Sequence, residues 1–174
     1  MTRLYRAGFQ LTKVKAFIAF SAALALAACW WGWELFNSYG LSRADGGVLA
    51  PFRDRVALGF GVAALGLTLL AGMWFYGRLY VTAVDYDEAA DALHVRTLEF
   101  LGSRETVYPA AAVRRADYVE GRSHAPDALI PSHGVSVDAP WFKLRLAGRR
   151  VPLILDAKGE FGDAALVKRL LKLR

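Results

Sequence analysis

The chain has few of the residues on which enzymes and metal proteins depend. Among its 174 residues there is one cysteine, Cys29, which excludes an intrachain disulfide, and there are three histidines, His94, His124 and His133. No CxxC, HxxxH or HExxH spacing, phosphate-binding glycine loop or GxSxG elbow occurs. His124 and His133 could meet in a loop, but no carboxylate cluster accompanies them. We therefore predict no catalytic, cofactor-binding or metal-binding residues, no cofactor, and no enzymatic activity.

Charged residues are also missing from two long stretches in the first half of the chain. Ala16–Trp33 and Val56–Tyr76 contain no Asp, Glu, Lys or Arg, and each is close to the roughly 20 residues that a helix needs to cross a hydrocarbon core. Helices buried in a soluble core rarely run this far without a charge. We predict a membrane hairpin with a basic N-terminal segment over 1–15, transmembrane helices over 16–33 and 56–76, and a connecting loop over 34–55.

Aromatic residues and one short motif refine this interpretation of the first span. Trp30, Trp31 and Trp33 gather at its end, where amphipathic rings favour the membrane interface. The segment Leu26–Cys29 resembles the cleavage box of a bacterial lipoprotein signal. The residues after Cys29 continue the apolar stretch instead of turning polar, so we favour an uncleaved span.

Small residues recur at steps of three and four in both spans, and such faces let two helix backbones approach closely. The first interpretation is that these faces close the hairpin on itself, and the alternative is that one of them docks on the helices of a larger partner. The first span offers Ala16, Ala19, Ala23 and Ala27, and the second offers Ala57, Gly61, Ala64, Thr68 and Gly72.

The sequence alternates with a period of two from residue 80 onward, which is typical of half-buried strands. An irregular loop is predicted over Gly121–Pro140 and a final helix over Ala164–Leu173 with Asp163 as its N-cap. We predict a soluble α+β domain over 81–174, an antiparallel sheet with a C-terminal helix in a pleckstrin-homology-like (PH-like) layout. The predicted strands are Tyr80–Tyr86, Leu93–Leu101, Glu105–Tyr108, Val113–Val119, Trp141–Leu146 and Val151–Leu155.

The net charge of +6 comes from dispersed Lys and Arg residues. No segment interleaves basic residues with aromatic ones as single-strand binders do, so no specific nucleic-acid partner is expected. Attraction to anionic lipids explains the same charge. Basic flanks of a span stay on the side that is not translocated, so both termini should share one side and Leu35–Arg55 should lie on the other.

The C-terminal third carries a resemblance to a known family. Leu144–Phe161 reads LRLAGRRVPLILDAKGEF, with a Gly-Arg-Arg turn, an apolar strand and Leu-Asp-x-x-Gly-x-Phe before the last helix, and Pro51–Arg55 leads into the second span. With two close-set spans and a short strand domain, this arrangement is similar to the transmembrane protein 223 family. The chain departs from the family in a longer Gly121–Pro140 loop and a short segment ahead of the first span.

The resemblance implies a mitochondrial inner-membrane protein with both termini in the matrix. It implies a non-catalytic assembly factor or supernumerary subunit of a respiratory-chain complex, with cytochrome c oxidase favoured and the subunits of that complex as partners. One alternative is a bacterial plasma-membrane protein with both termini in the cytoplasm. Another is a membrane-anchored, PH-like module that binds lipid or peptide. A transporter is disfavoured because neither span contains an ionisable residue.

Overall fold

The computed structural model describes residues 1–42, 46–99, 102–126 and 134–173, with the strands inside 122–138 as backbone. Two compact units emerge: Val14–Tyr76, and Met1–Lys13 together with Gly77–Arg174. The elements follow in the order β1 Thr2–Arg6, α1 Phe9–Ser38, α2 Phe52–Leu79, β2 Val81–Asp87, β3 Ala92–Glu99, β4 Gly102–Pro109, a 3-10 turn Ala110–Ala112, β5 Val113–Val119, β6 Arg122–Pro126, β7 Gly134–Asp138, β8 Trp141–Leu146, β9 Leu153–Asp156, β10 Glu160–Phe161 and α3 Ala164–Leu171.

The first unit contains the two long apolar helices that the sequence predicts. Both α1 and α2 are long and apolar enough to cross a membrane, and both extend beyond the uncharged stretches at each end. At about 1.5 Å per residue, a helix of 30 residues measures about 45 Å, longer than a hydrocarbon core of about 30 Å. The charged ends, with Lys13 and Lys15 on α1 and Arg78 on α2, therefore extend past the apolar span.

The two helices pack through faces other than the predicted ones. In α1 the buried residues are Ile18, Ser21, Ala25 and Gly32, whereas Ala16, Ala19, Ala23 and Ala27 are exposed. In α2 the buried residues within the span are Gly59 and Gly66, and a Cβ added at Gly61 or Gly72 would meet nothing within 4 Å. Small residues do lie between the two helices, as predicted, but the prediction of which helix face they occupy is wrong.

Gly32 and Gly59 bring the backbones of the two helices into direct contact. A Cβ on Gly59 would lie 2.6 Å from the carbonyl oxygen of Gly32, and a Cβ on Gly32 would clash with the carbonyl oxygen of Gly59. Direct backbone contact of this kind replaces the hydrophobic attraction that lipid cannot supply.

The second unit is built on a five-stranded antiparallel sheet in the order β10-β1-β2-β3-β4 and a three-stranded sheet in the order β5-β8-β9. Both contribute to one core with α3. Its fully buried members include Leu4, Tyr5, Val84, Leu93, Val95, Ala116, Leu144, Leu153, Leu155, Val167 and Leu171. This confirms the predicted fold class of an apolar helical hairpin followed by an antiparallel domain with a C-terminal helix.

Several predicted boundaries agree with the structure and several need correction. The bounds of β5 and β8 are as predicted, while Phe100 and Leu101, at the end of one predicted strand, lie outside the described residues. Within the predicted loop Gly121–Pro140, β6 and β7 pair as an antiparallel two-stranded sheet. The last helix ends at Leu171 because Lys172 adopts a left-handed conformation at φ +51°. Asp163 is confirmed as the N-cap, its side chain accepting from the N–H groups of Ala165 and Leu166.

The N-terminal segment departs most from expectation. Residues 1–15 are not a separate basic lead-in, because Thr2–Arg6 forms the second strand of the five-stranded sheet and Phe9 already begins α1. Period-two reasoning missed β1 because five residues at a chain end give too short a pattern to separate a strand from a coil.

Candidate functional site

Strand β1, which precedes the first helix, pairs with β2, which follows the second helix. It pairs antiparallel with β2, with Tyr5 opposite Val84 and Arg6 opposite Ala83, and the N–H of Ala7 donates to the carbonyl oxygen of Thr82 over 2.9 Å. Strand β1 leads directly into α1, and α2 leads directly into β2. The start of α1 and the end of α2 are therefore attached to neighbouring strands of one sheet. The N-terminal strand and the sheet domain must therefore lie on the same side of the membrane.

Tyr5 fixes β1 in place. Its side chain is fully buried, its hydroxyl oxygen accepts from the backbone N–H of Asp156 over 3.0 Å, and its ring lies 5.1 Å from that of Phe161. A Cβ on Gly159 would lie 2.5 Å from Cε2 of Tyr5 and 2.9 Å from the carbonyl oxygen of Arg6. Only glycine leaves room for the ring at this position.

The Leu-Asp-x-x-Gly-x-Phe segment, Leu155–Phe161, thus packs against β1 and holds it in place; we call this segment the seat of β1. Asp156 also organises the turn inside the segment, since its carboxylate accepts from the N–H of Lys158 over 2.8 Å and its carbonyl oxygen accepts from the N–H of Gly159 over 3.1 Å. Asp156 is therefore a turn-forming residue.

A network of charged side chains covers one face of the same sheet. Glu105 on β4 accepts from His94 Nδ1 at 2.7 Å and from Arg96 Nε at 2.8 Å. Asp85 on β2 is nearly buried and lies 3.4 Å from Arg3 Nε and 3.5 Å from Arg96 Nη2. The network therefore links strands β1 to β4 across the face.

Hydrogen bonds within this network shift the pKa values of Glu105 and Arg96. The hydrogen bond from His94 is the main cause that lowers the pKa of Glu105 below its ordinary value, and the hydrogen bond from Arg96 is the second. The hydrogen bond to Glu105 raises the pKa of Arg96. Both carboxylate oxygens of Glu105 are already engaged. This geometry suits a structural clamp better than a general base, which needs a lone pair aimed at substrate.

The sequence pattern alone does not predict this clamp. His94 lies on a strand, as predicted. The cross-strand register that sets Arg96 opposite Glu105 is the signal from which the network could be inferred. The side chain of His124 and all of His133 lie outside the described residues. Within the part of the chain that is described, no group of three or more His, Cys, Asp or Glu side chains could hold a metal ion.

Arg55 closes the loop end of the hairpin. Its guanidinium donates to the carbonyl oxygen of Phe36 over 3.1 Å and lies 5.3 Å from the ring of Phe36 and 5.8 Å from that of Phe52. A cation there suits the C-terminal end of α1, where the helix dipole is negative. The Pro-Phe-Arg-Asp-Arg entry to α2 therefore ties the two helices together.

The outward faces of both helices are strongly apolar. The large residues that they expose include Phe17, Phe20, Leu26, Trp30, Trp31, Phe60, Leu65, Leu67 and Phe75. A surface of this extent is stable only against lipid or against the apolar face of another protein. The chain is a membrane protein, and its hairpin is the candidate surface for both contacts.

Comparison with known proteins gives one clear result. No curated protein matches the chain. The model of the TMEM70/TMEM186/TMEM223 protein family matches residues 51–172, which run from the entry of α2 to the end of α3. The matched residues include the seat of β1, Arg55 and every member of the charged network except Arg3. This match confirms the resemblance that the C-terminal motif indicates, and the chain belongs to the TMEM70/TMEM186/TMEM223 protein family.

Proposed function

We propose that the chain is a non-catalytic accessory subunit or assembly factor of a respiratory-chain complex, with cytochrome c oxidase the favoured complex. The family match over 51–172 carries the proposal, since at the level of the family it supports an assembly or accessory role at a mitochondrial membrane. The hairpin supports it independently, because its large exposed apolar surface suits contact with the helices of a partner.

The geometry suggests how such a factor works. Pairing of β1 with β2 holds the start of α1 beside the end of α2, and Arg55 holds the other end of the hairpin. The two helices then present one fixed surface, so little conformational entropy is lost on docking. The face with Ala16, Ala19 and Ala23 is exposed, which favours the use of this small-residue face for close packing against a partner helix.

Native-gel separation after mild detergent extraction tests the proposal. We expect the full-length chain to migrate with cytochrome c oxidase subunits well above the size of a monomer. Ala19→Trp should displace it from the assembly because the bulk falls on the small exposed face. Phe20→Trp is the matched control, since Phe20 is already large and 62% exposed. Migration of the wild-type chain as a monomer with no respiratory subunit would contradict the proposal.

We also propose that the chain lies in the mitochondrial inner membrane with both termini in the matrix. The basic residues before the first apolar stretch and in the sheet domain support this orientation. The alternative location is a bacterial plasma membrane with both termini in the cytoplasm. With Cys29 replaced by Ser, an impermeant thiol reagent applied from the intermembrane or periplasmic side should label Ser42→Cys and leave Ser103→Cys unmodified. Both positions are exposed. The reverse pattern would place the domain on the opposite side and contradict the orientation.

A further inference from the structure

A polar cavity of about 240 Å³ lies in the sheet unit. The face of β3 and β4 opposite the charged network supplies most of its lining, because alternate residues of a strand point to the same face. Arg78 joins them from the last turn of α2, and Arg149 joins them from the Gly-Arg-Arg turn. The full lining is Arg78, Thr97, Glu99, Arg104, Thr106, Tyr108 and Arg149.

The cavity concentrates positive charge. Three guanidinium groups and one carboxylate line it, which gives a formal charge of +2. Among the residues that the structure describes, no ion pair neutralises Arg104. Glu99 offsets one of the three positive charges, and the remaining like charges repel each other unless a further anion joins them, so the arrangement favours an anionic ligand.

The donors are partly positioned in advance. Arg149 donates from Nη1 to the hydroxyl oxygen of Tyr108 over 3.3 Å and from Nε to the carbonyl oxygen of Val151 over 3.2 Å. These bonds hold the guanidinium at the cavity wall. Thr97, on the neighbouring strand, is nearly buried, and its hydroxyl group can donate as well. Guanidinium forks and hydroxyl groups together match the several oxygens of a phosphate better than the two of a carboxylate.

Arg78, one of the lining residues, lies close to the end of the second apolar stretch. The second apolar stretch ends at Tyr76, so Arg78 follows within one helical turn of the hydrocarbon boundary. Phosphate groups of lipids lie at this level, and arginine near a span end is a common partner for them. A cavity of about 240 Å³ is smaller than the 300–1,000 Å³ or so of drug-sized sites, which suits a head group.

We propose that this cavity binds the phosphate of a phosphate ester, with Arg78, Arg104 and Arg149 as the anion-binding residues. Glu99 gives the same site a carboxylate acceptor, which suits an ester whose alcohol carries a hydroxyl or ammonium donor, such as glycerol or ethanolamine, and not choline. The ester could belong to a lipid head group or to a soluble molecule. The inference does not rest on the proposed respiratory role, because it follows from the lining alone.

Native mass spectrometry of the full-length chain in detergent tests this inference with two probes. One arm titrates phosphatidylglycerol against phosphatidylcholine and measures the retained lipid. We expect phosphatidylglycerol to bind about tenfold more tightly, and Arg104→Gln to remove about that factor, as one charge-assisted hydrogen bond does. The other arm adds glycerol 3-phosphate. Competition at millimolar concentration identifies a soluble ester as a ligand, and binding of lipid alone identifies the head group as the source.

Arg150→Gln is the matched control, since it removes the same charge from the exposed neighbour of Arg149 and lies outside the cavity. It should change lipid retention less than twofold. Arg149→Gln should act like Arg104→Gln, and if it fails to fold for want of its bond to Tyr108, Arg104→Gln still decides. Equal losses in Arg104→Gln and Arg150→Gln would show general surface electrostatics and overturn the proposal, as would equal retention of the two lipids by the wild-type chain.

Discussion

The helical unit and the sheet unit differ in whether their large apolar side chains are exposed or buried. In the helices all buried positions except Ile18 are small, as at Ala25 and Gly59, while large side chains such as Trp30 and Leu65 face outward. In the sheet unit the large side chains, among them Tyr5, are buried. Water penalises exposed apolar area and lipid does not, so each unit is arranged for a different solvent. Whether a large apolar side chain stabilises the protein more when buried or when exposed therefore depends on the surrounding solvent.

Removing a large buried side chain from the sheet unit should give the largest effect. Tyr5→Ala is expected to lower the free energy of unfolding by about 3–5 kcal/mol, the range for buried aromatic residues replaced by alanine. The loss combines a cavity with an unpaired N–H on Asp156. Thermal unfolding of the full chain in detergent, followed by circular dichroism, measures it.

Tyr118→Ala is the control for that experiment because Tyr118 is 50% exposed. Its loss should cost about 1 kcal/mol, the value of its ring contact with Phe142. Equal destabilisation by the two substitutions would contradict the role of Tyr5 as the anchor of β1. Fragments that begin at Val81 lack β1, so the full chain is the proper subject of these measurements.

A charge introduced at an exposed position distinguishes a lipid-facing surface from a water-facing one. Leu65, in the middle of α2, is 74% exposed, and Val107 on β4 is 54% exposed. Leu65→Arg should cost about 2.5–3.5 kcal/mol of membrane insertion, the penalty for arginine at the centre of a span. Val107→Arg should cost at most about 0.5 kcal/mol, as surface substitutions do.

Glycosylation-based insertion assays measure the first substitution, and urea unfolding measures the second. Equal tolerance of arginine at the two positions would show that α2 does not lie in lipid. That result would mean that both units face water.

Bulk added between the helices should have a smaller effect. Gly59→Leu forces a side chain onto the carbonyl oxygen of Gly32 and should destabilise the closed hairpin by about 1–3 kcal/mol, as overpacking does. Gly61→Leu is the matched control, because a Cβ there meets nothing within 4 Å. Disulfide trapping between cysteines placed on α1 and α2 measures closure. A larger loss of closure in Gly61→Leu would mean that the originally predicted face is the packed one.

The charged network should give the smallest effect and a definite pH dependence. The folded-state pKa of Glu105 is lowered from its ordinary value of 4.5 by the hydrogen bonds from His94 and Arg96. The unfolded chain therefore binds its proton first, so the stabilising contribution is complete above about pH 4.5 and is lost as the pH falls through the lowered pKa.

Glu105→Gln removes this contribution. The difference in melting temperature between the wild-type chain and Glu105→Gln should be present at pH 7 and shrink as the pH falls below 4.5. A difference that grows under acid would reverse the sign of the interaction. Val107→Ala, next to the network on the same strand, provides the control without a titratable change.

Much of the fold could be predicted from sequence because the signals are local. Two uncharged stretches of membrane length predict two helices, and period-two alternation predicts β5 and β8 to the residue. Asp163 was predictable as an N-cap because capping depends on the next three residues alone. Strand β1 was not predictable, since a five-residue strand gains its stability from partners that lie far along the chain.

The candidate sites show the same division. A Gly-Arg-Arg turn and a Leu-Asp-x-x-Gly-x-Phe motif were visible as patterns, but their roles were not. That Gly159 receives Tyr5, and that Arg149 shares a cavity with Arg78 and Arg104, depends on strand order. Alternation fixes which residues share a face of one strand, but it does not say which strand comes next.

By itself, therefore, the sequence determined the membrane class, the separation into a hairpin and a sheet domain, and the local caps and strands, because hydropathy, charge and capping act over one helix or strand. Only the tertiary structure decided which helix face is packed, that β1 lies between β10 and β2, and which charges meet on each face of the sheet. These features depend on contacts between residues distant in sequence, where close fit and pairing, not local propensity, set the free energy.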